Sequence, residues 1–306
     1  MRNAFADEIT SLAGENEKIV LLPADIGNRL FDKFKEKFPD RFYNCGVAEA
    51  NTISMAAGMA LSGLRPVAYT ITPFITTRCF EQIRVDLCYN NVPVIFVGVG
   101  AGFGYAPLGA THHSCEDIAI LRVLPNMTVI CPGDAFEVRA ALRAALSHNG
   151  PVYMRIGKKG EQTVHTQVPD FKIGKAIIIT KGTDVCLLST GNMLPACAQV
   201  AKLLDKNGIS AQLVSFHTIK PLDKELLADV FNKFSIVATI EEHSLLGGFG
   251  GSVAEWLADN PQQKAKLIRF GTQDEFLHKT GEQEYAREHF GLDSHSIAEK
   301  ILKFQK

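Results

Sequence analysis

Short apolar runs typical of β-strands alternate with segments of helical spacing along almost the whole chain. In the first half, six runs predict strands: KIVLLPA, RFYNCGV, RPVAYTI, VPVIFVGV, MTVICPG and PVYMRIG. The segments between them repeat their apolar residues at helical spacing, and several end in Gly or Asn, as helix C-termini often do. Strands that alternate with helices are joined by crossover connections, so the pattern predicts a mainly parallel sheet flanked by helices on both faces.

A polar stretch without apolar periodicity, from Lys158 to Lys172, interrupts this alternation and predicts a linker. A second alternating unit follows, with the strand-like runs AIIITKGTDVCLLST, QLVSFHTI, SIVATIEE and AKLIRF. The length of 306 residues also suits two domains of ordinary size. We therefore predict two α/β domains in series, residues 1–160 and residues 173–306, each a mainly parallel sheet flanked by helices.

Charge and cysteine content narrow the class of protein. The net charge is −1, and no basic cluster is present that would favour a nucleic-acid or anionic membrane partner. The seven cysteines are scattered without a CxxC pair, which is typical of reduced thiols in the cytoplasm, and we predict a cytoplasmic protein. Residues 87–115 contain no acidic or basic side chain, but prolines and glycines interrupt them. We therefore expect a buried strand and a glycine-rich loop there rather than a membrane span.

Several common catalytic motifs are absent from the sequence. Phe103 stands where a dinucleotide-binding GxGxxG motif starting at Gly98 would need its third glycine. Neither a Walker A sequence nor GxSxG occurs, which excludes the P-loop and nucleophile-elbow interpretations. His112 and His113 are adjacent and cannot ligate one metal from one helix face, so we predict no metal site in this chain.

Three segments carry side chains suited to chemistry. FPDRFYNCGVAEAN places Glu49 at the start of a predicted helix, just after a predicted central strand, where a carboxylate also stabilises the helix N-terminus. YTITPFITTRCFEQIRVD has Phe74 and Phe80 six residues apart, with Arg78 between them. PLGATHHSCED ends a glycine-rich loop with paired histidines beyond the carboxyl end of a strand, where open α/β sheets bind ligands. Taken singly, each segment also has a purely structural explanation.

The order and spacing of these segments resemble the pyrimidine-binding domain of thiamine-diphosphate enzymes, and in particular the transketolase family. The resemblance continues in the second half, in LLSTGNMLPACAQVA, SFHTIKPLD and TIEEHSLLGGFGGSVAEWL. It therefore covers nearly the whole chain, which is similar to the C-terminal half of a transketolase. The resemblance implies a transferase of carbohydrate metabolism that moves a two-carbon ketol unit from a ketose or ketose-phosphate donor to an aldose acceptor through a thiamine-diphosphate carbanion.

The resemblance also implies a set of cofactor-binding residues. Glu49 matches the family glutamate that donates a hydrogen bond to a ring nitrogen of the aminopyrimidine and so activates the cofactor. Phe74 and Phe80 match aromatic side chains around the pyrimidine ring, although Thr77 stands where many transketolases have a further aromatic residue. Asp25, in LLPADIGN, matches an aspartate near the cofactor, and a capping or turn aspartate explains it equally well.

A second set of residues is expected at the substrate. His112, in GATHH, matches a histidine at the reacting carbons that binds substrate hydroxyls and helps to move protons. Arg2 and Lys158 fall where the family holds a sugar phosphate. Lys158 replaces the usual arginine, which keeps the charge and loses the bidentate geometry. Arg155 and Arg78 are candidates to share this task.

One departure from the family pattern leaves the substrate open. Leu108 stands where transketolases commonly have an aspartate that reads the hydroxyl configuration of the donor sugar, and an apolar side chain cannot make that hydrogen bond. The possibility of a modified donor sugar or a different acceptor therefore stays open. Three other functions also stay open: a deoxyxylulose-phosphate-synthase-like enzyme that uses pyruvate, the β subunit of a 2-oxo acid dehydrogenase, and a non-catalytic regulatory homologue.

Part of the cofactor site has no counterpart in this sequence. In the family, a GDG sequence and a later asparagine hold the cofactor diphosphate and Mg²⁺, and no GDG occurs here. The sequence begins with a methionine directly at the pyrimidine-binding region. The resemblance therefore implies a separate N-terminal-half subunit that supplies the diphosphate and Mg²⁺ site, with the cofactor bound between the chains in an α2β2 assembly.

Overall fold

The structure, a computed structural model, describes residues 1–27, 29–158 and 160–305, and these residues form eleven β-strands in two sheets. The strands are β1 (Ile19–Pro23), β2 (Arg65–Ile71), β3 (Ile95–Val99), β4 (Thr128–Ile130), β5 (Val152–Ile156), β6 (Ile177–Thr180), β7 (Val185–Ser189), β8 (Ala211–Ser215), β9 (Thr218–Lys220), β10 (Ile236–Ser244) and β11 (Lys266–Thr272). The first sheet has the order β1-β2-β3-β5-β4-β9, and the second has the order β11-β10-β7-β8-β6. Among the described strands, β9 and β6 pair antiparallel at the sheet edges, and the other pairs are parallel.

Helices connect the parallel strands and cover the sheets. Over the described residues the α-helices are α1 (Arg2–Glu15), α2 (Asp32–Lys37), α3 (Glu49–Leu61), α4 (Thr72–Ile75), α5 (Phe80–Gln82), α6 (Asp117–Arg122), α7 (Ala135–Leu146), α8 (Leu194–Asp205), α9 (Lys224–Lys233), α10 (Phe249–Asp259), α11 (Gln283–His289) and α12 (Ser294–Gln305). Every residue of β1, β3, β5, β7 and β8 is buried, as expected for parallel strands covered on both faces. The predicted fold class is therefore confirmed.

One predicted strand is wrong. RFYNCGV forms only an isolated bridge to β1, between Phe42 and Leu21: Tyr43 N–H donates to Leu21 O at 3.0 Å and Cys45 N–H donates to Pro23 O at 2.9 Å. The ladder does not continue because Pro23 has no N–H to donate back to this segment. The segment runs along the outside of β1, which is the edge of the first sheet. Glu49 therefore follows an extended edge segment and not a central strand.

A second prediction is corrected at QLVSFHTI, whose apolar pattern predicts one strand. It forms β8 in the second sheet and then β9, which crosses to the first sheet and pairs with β4 through Ile130 and Thr218. Just before β9, Cys131 N–H donates to His217 O at 2.7 Å. The second half of the chain thus completes the sheet of the first half. The boundaries 1–160 and 173–306 remain predictions.

The segment VPVIFVGV forms the buried strand β3, which is followed by a glycine-rich loop, as predicted. Throughout the described residues, no helix combines the length and apolar character needed to cross a bilayer. Between β5 and β6, the described residues form neither a helix nor a strand, in agreement with the predicted linker; Lys159 lies outside the described residues.

Candidate active site

Glu49 is the first residue of α3, and its side chain is 3% exposed. The helix begins here because Ala48 has non-helical backbone angles, and its apolar residues Ile53 and Ala56 are fully buried. Free amides at a helix N-terminus attract negative charge. Arg78 approaches from the other side and donates from Nη1 to Glu49 Oε2 at 2.9 Å. The predicted catalytic carboxylate is therefore buried and held in one place.

Phe74 and His112 extend this site. Phe74 lies in α4, directly after the carboxyl end of β2. The Arg78 guanidinium carbon is 4.3 Å from the centroid of the Phe74 ring. On the same aromatic side chain, the His112 ring packs edge to face with a centroid distance of 5.1 Å. One continuous series of contacts therefore joins Glu49, Arg78, Phe74 and His112.

His112 lies on the loop after β3, where the carboxyl ends of the strands meet. Its Nδ1 is hydrogen-bonded to Thr111 Oγ1 at 2.9 Å. Partial burial lowers the pKa of His112, and the neighbouring positive charges of His113 and Arg78 lower it further. The imidazole is therefore neutral near pH 7, with one nitrogen able to donate and the other able to accept a hydrogen bond.

The same loop presents Leu108 and fixes His113. Leu108 ends a single 3₁₀ turn, Ala106–Leu108, and is 55% exposed. His113 donates from Nε2 to the carbonyl of Ala106 at 3.2 Å, and its ring packs against Phe103 with a centroid distance of 5.2 Å. His113 therefore closes the loop on itself.

Lys158 and Arg2 meet at an aromatic side chain that sequence reasoning missed, Tyr105. Lys158 Nζ lies 4.7 Å from the centroid of the Tyr105 ring. Burial raises the pKa of Tyr105, and the adjacent Arg2 guanidinium opposes this shift. Arg2 Nε is buried and has no hydrogen-bond partner among the described residues. Since the Tyr105 ring is 6.1 Å from that of His112, two cations lie one aromatic ring away from the proposed reacting position.

A signal for Tyr105 is nevertheless present in the sequence. The loop GAGFGYAPLG places an aromatic hydroxyl among closely spaced glycines, between a strand end and the paired histidines. Glycines leave room for a large neighbour, and an ideal Cβ on Gly100 would lie 2.2 Å from the Tyr105 ring. The glycine spacing excludes a dinucleotide motif, and the same spacing also indicates a large side chain packed against the loop.

Phe80 and Asp25 lie outside this series of contacts. Phe80 begins α5 and packs, partly buried, against a hydrophobic core to which both sheets contribute. Asp25 follows β1, is exposed, and exchanges two hydrogen bonds with Asn44: its N–H donates to Asn44 Oδ1 at 3.1 Å, and its Oδ1 accepts from Asn44 Nδ2 at 3.0 Å. Its backbone φ of +49° marks a turn residue. The cofactor roles of Phe80 and Asp25 remain predictions.

Arg155 has a different task from the anion binding that the sequence suggested. It is 1% exposed and donates from Nε to Asp117 Oδ2 at 2.7 Å. Its Nη2 donates to the carbonyls of Ser114 and Glu242, each at 2.9 Å. Arg155 therefore ties the end of the histidine loop to β10 of the second sheet and is not available to a substrate.

The arrangement can bind a flat heteroaromatic ring against Phe74 while Glu49 contacts its edge. It can also present His112 to the polar groups of a ligand, and Arg2 and Lys158 to an anionic group of that ligand. Within the described part of the chain, no group of three or more His, Cys, Asp or Glu side chains is arranged to hold a metal ion. A buried carboxylate therefore lies beside an aromatic ring at the edge of a parallel sheet where open α/β proteins bind ligands. Fold and site together define the class of two-domain α/β proteins with a candidate ligand site at the carboxyl ends of the strands.

Comparison with known proteins identifies the family. Residues 1–161 match the family model described as "Transketolase, pyrimidine binding domain", and residues 174–297 match "Transketolase, C-terminal domain". The chain belongs to the transketolase family, as predicted, and its enzymes are transferases.

Three relatives have nearly the same length as this chain. It is 37% identical, over 100% of its length and 96% of the relative, to a putative transketolase C-terminal section of Methanocaldococcus jannaschii. It is 33% identical, over 100% and 97%, to one subunit of the apulose-4-phosphate transketolase of Phocaeicola vulgatus. The solved structure of a split gene transketolase, an inactive beta4 tetramer, superposes with a TM-score of 0.91 at 35% identity, covering 99% of this chain and 97% of that one. The chain therefore corresponds to the half that these transketolases carry as a separate polypeptide.

Proposed function

We propose that this chain is the β subunit of a split transketolase that binds the pyrimidine end of thiamine diphosphate and is active only with an N-terminal-half subunit. The observation that carries the proposal is the buried carboxylate of Glu49 at the N-terminus of α3, in contact through Arg78 with the Phe74 ring. A carboxyl group and an aromatic face are what an aminopyrimidine needs from a protein. The residues present therefore fit this cofactor.

Thiamine diphosphate, when bound, supplies the carbon nucleophile and the electron sink for moving a two-carbon ketol unit between sugars. Glu49 would hold the pyrimidine ring through a hydrogen bond, and Phe74 would hold it through an aromatic contact. Neutral His112 hydrogen-bonds substrate hydroxyls and moves a proton at its free nitrogen. Arg2 and Lys158 attract an anionic end of the substrate from beside Tyr105.

The diphosphate and Mg²⁺ belong to the partner subunit in this proposal, because this chain contains no GDG sequence. The cofactor is then bound between an N-terminal-half chain and this one, in an α2β2 cytoplasmic enzyme of carbohydrate metabolism. The relatives of equal length, named as a C-terminal section and as one subunit of a transketolase, support a two-chain enzyme. The relative that forms a tetramer of β chains is described as inactive, which supports a requirement for the partner.

The donor sugar in this proposal lacks the usual hydroxyl contact, because Leu108 is apolar and exposed beside the histidine loop. A branched or otherwise modified ketose fits such a site. The relative that acts on apulose 4-phosphate supports this substrate class.

The test uses the chain assembled with its N-terminal-half partner, thiamine diphosphate and Mg²⁺, and a screen of ketose and pyruvate donors. Glu49→Gln is expected to lower kcat by about 10²- to 10⁴-fold, the usual contribution of a positioned acid–base group, while the circular dichroism spectrum and Tm stay unchanged. Glu81→Gln, an exposed carboxylate nearby, is the matched control and keeps full activity. Near-normal transfer by the Glu49 variant would exclude this residue from the proposed role. Turnover with pyruvate as the sole donor, in the presence of an aldose acceptor, would favour the deoxyxylulose-phosphate-synthase-like function.

His112→Ala is the second arm of the same experiment. It is expected to lower kcat/KM for sugars by about 10²-fold or more, because the substrate loses a hydrogen-bond partner at the reacting carbons. The affinity for thiamine diphosphate, measured by calorimetry, should stay within a factor of two. Lost cofactor affinity together with retained turnover would contradict the assignment.

A further inference from the structure

Arg78 makes both of the contacts that the proposed function gives to the cofactor ring. Its flat guanidinium lies over the Phe74 ring at 4.3 Å and donates to Glu49 Oε2 at 2.9 Å. A pyrimidine ring against the same aromatic face and the same carboxylate would need this space. On the basis of the proposed function, we propose that Arg78 is an exchangeable partner of Glu49, which fills the pyrimidine slot before the cofactor binds and is displaced when it binds.

The burial of the two partners favours an exchange. Glu49 is 3% exposed, and a buried carboxylate without a partner is strongly unfavourable. Arg78 is 45% exposed, so its guanidinium can return to water by rotation of its own side chain. Arg78 also lies in a 3₁₀ turn, Thr77–Cys79, beside the exposed Thr77. The pair thus stabilises the cofactor-free slot without closing it permanently.

Two opposite effects follow from this arrangement. Removing the guanidinium destabilises the cofactor-free chain, because Glu49 then remains buried alone. The same change strengthens cofactor binding, because the slot no longer has to be vacated. A residue that binds the cofactor directly, or one that only supports the fold, would not produce this combination of signs.

Arg78→Met tests the proposal, since it keeps an apolar stem over Phe74 and removes the charge. We expect the Tm of the cofactor-free chain to fall by about 5 °C or more. In the assembled complex with Mg²⁺, calorimetry should give a thiamine-diphosphate Kd that is roughly 5- to 20-fold lower than in the unmodified complex. Arg84→Met is the matched control, because Arg84 pairs with the exposed Glu81, and it should change neither quantity.

A Glu49→Gln background separates the pair from general packing. There, Arg78→Met should no longer lower the Tm, because no buried charge remains to be compensated. Arg78→Lys serves if the Met variant does not fold: it keeps the charge for Glu49 and loses the flat contact with Phe74, so a Kd between those of Arg and Met is expected.

Unchanged or weaker cofactor binding by the Arg78→Met complex, or a Tm loss that persists in the Glu49→Gln background, would overturn the proposal. Either result would leave the proposed function intact, provided that the unmodified complex binds thiamine diphosphate. If the unmodified complex does not bind it, the proposed function fails, and the exchange proposal fails with it.

Discussion

Tyr105 depends on a single glycine for the position of its ring. An ideal Cβ on Gly100 would lie 2.2 Å from that ring, and the backbone φ of Gly100 is +85°. Non-glycine residues rarely adopt such a φ, and no side chain fits at this distance. The glycine therefore sets where the Tyr105 ring meets His112 on one side and the Lys158 ammonium on the other.

Gly100→Ala is expected to move the Tyr105 ring and to lower kcat/KM of the assembled enzyme by about 10- to 100-fold, since a displacement near 1 Å can have effects of this size. Gly63→Ala is the matched control: its φ is +90°, and nothing lies within 4 Å of its ideal Cβ. The control should lose about 1 kcal/mol of unfolding free energy through backbone strain, with unchanged kcat/KM. Equal behaviour of the two variants in urea unfolding and in kinetics would contradict the role of Tyr105.

His243 in β10 is fully buried, and its two hydrogen bonds define its protonation state. Nδ1 lies 2.9 Å from the carbonyl oxygen of Ser244, which can only accept, so Nδ1 carries the proton. Nε2 lies 3.3 Å from the backbone nitrogen of Ala119, whose N–H can only donate, so Nε2 carries no proton. Burial lowers the pKa of His243 from 6.5 to about 4, although Asp117 lies 4.0 Å from Nε2 and favours the charged form. The folded protein therefore needs this imidazole neutral.

This requirement predicts a pH-dependent contribution to stability. Between pH 4 and 6.5 the unfolded chain binds the proton of His243 and the folded chain does not, so stability is complete above pH 6.5 and falls as the pH falls. The contribution lost between pH 6.5 and 4.5 is about 2 kcal/mol. His243→Gln, which keeps a donor and an acceptor, should flatten the pH dependence measured by urea unfolding. The exposed His278→Gln is the control and should retain it; parallel curves for all three proteins would refute the prediction.

The loop between β3 and α6 carries the residues that we propose act on the substrate. It holds Tyr105, Leu108 and His112, and its bonds anchor it at both ends: Ser114 N–H donates to Gly102 O at 2.9 Å, and His113 donates to Ala106 O. Because the loop is fastened internally, an exposed side chain such as Leu108 can change without loss of the loop conformation. The side chains that the loop exposes can therefore change without a change in the fold.

Leu108→Asp is expected to cost little stability, about 0.5 kcal/mol or less, because the side chain is 55% exposed. The new carboxylate can accept a hydrogen bond from a donor-sugar hydroxyl, so kcat/KM for ordinary ketose phosphates should rise by about tenfold relative to modified ketoses. Steady-state kinetics with both donor types measures the ratio. Leu108→Asn is the uncharged control, and an unchanged donor ratio in both variants would exclude this position from donor selection.

At the scale of the whole molecule, a buried polar network joins the two α/β units. Arg155 pairs with Asp117 in the first unit and donates to the Glu242 carbonyl in the second. The Glu242 carboxylate accepts from Phe103 N–H at 2.7 Å and is also bonded to Arg287. The second unit thereby holds both ends of the loop between β3 and α6. This is a physical reason why the C-terminal unit accompanies the pyrimidine-binding unit.

Arg155→Met is expected to destabilise the chain by about 3–5 kcal/mol, because it leaves Asp117 buried without its charge partner. Adding Asp117→Asn should recover part of this loss in a double-mutant cycle measured by urea unfolding. Lys175→Met is the comparison, since Lys175 is itself exposed and pairs with the exposed Glu225 and, at 3.7 Å, with Asp223, so a much smaller loss is expected. A loss at Arg155 as small as that at Lys175, or no recovery with Asp117→Asn, would contradict the network.

The sequence by itself determined the alternating α/β architecture and the family, because local hydrophobic periodicity and the order of motifs are properties of neighbouring residues. It also indicated Glu49, Phe74 and His112 through their places in the motifs: Phe74 follows the end of β2, and His112 lies on the loop after β3. Tertiary structure alone decided that RFYNCGV stays outside the sheet, that β9 crosses between the sheets, and that Arg155 is buried. It also placed Arg78 on Glu49 and Tyr105 beside Lys158. The physical reason is that edge pairing, burial and ion pairing depend on residues far apart in the chain, whose mutual distances no local pattern encodes.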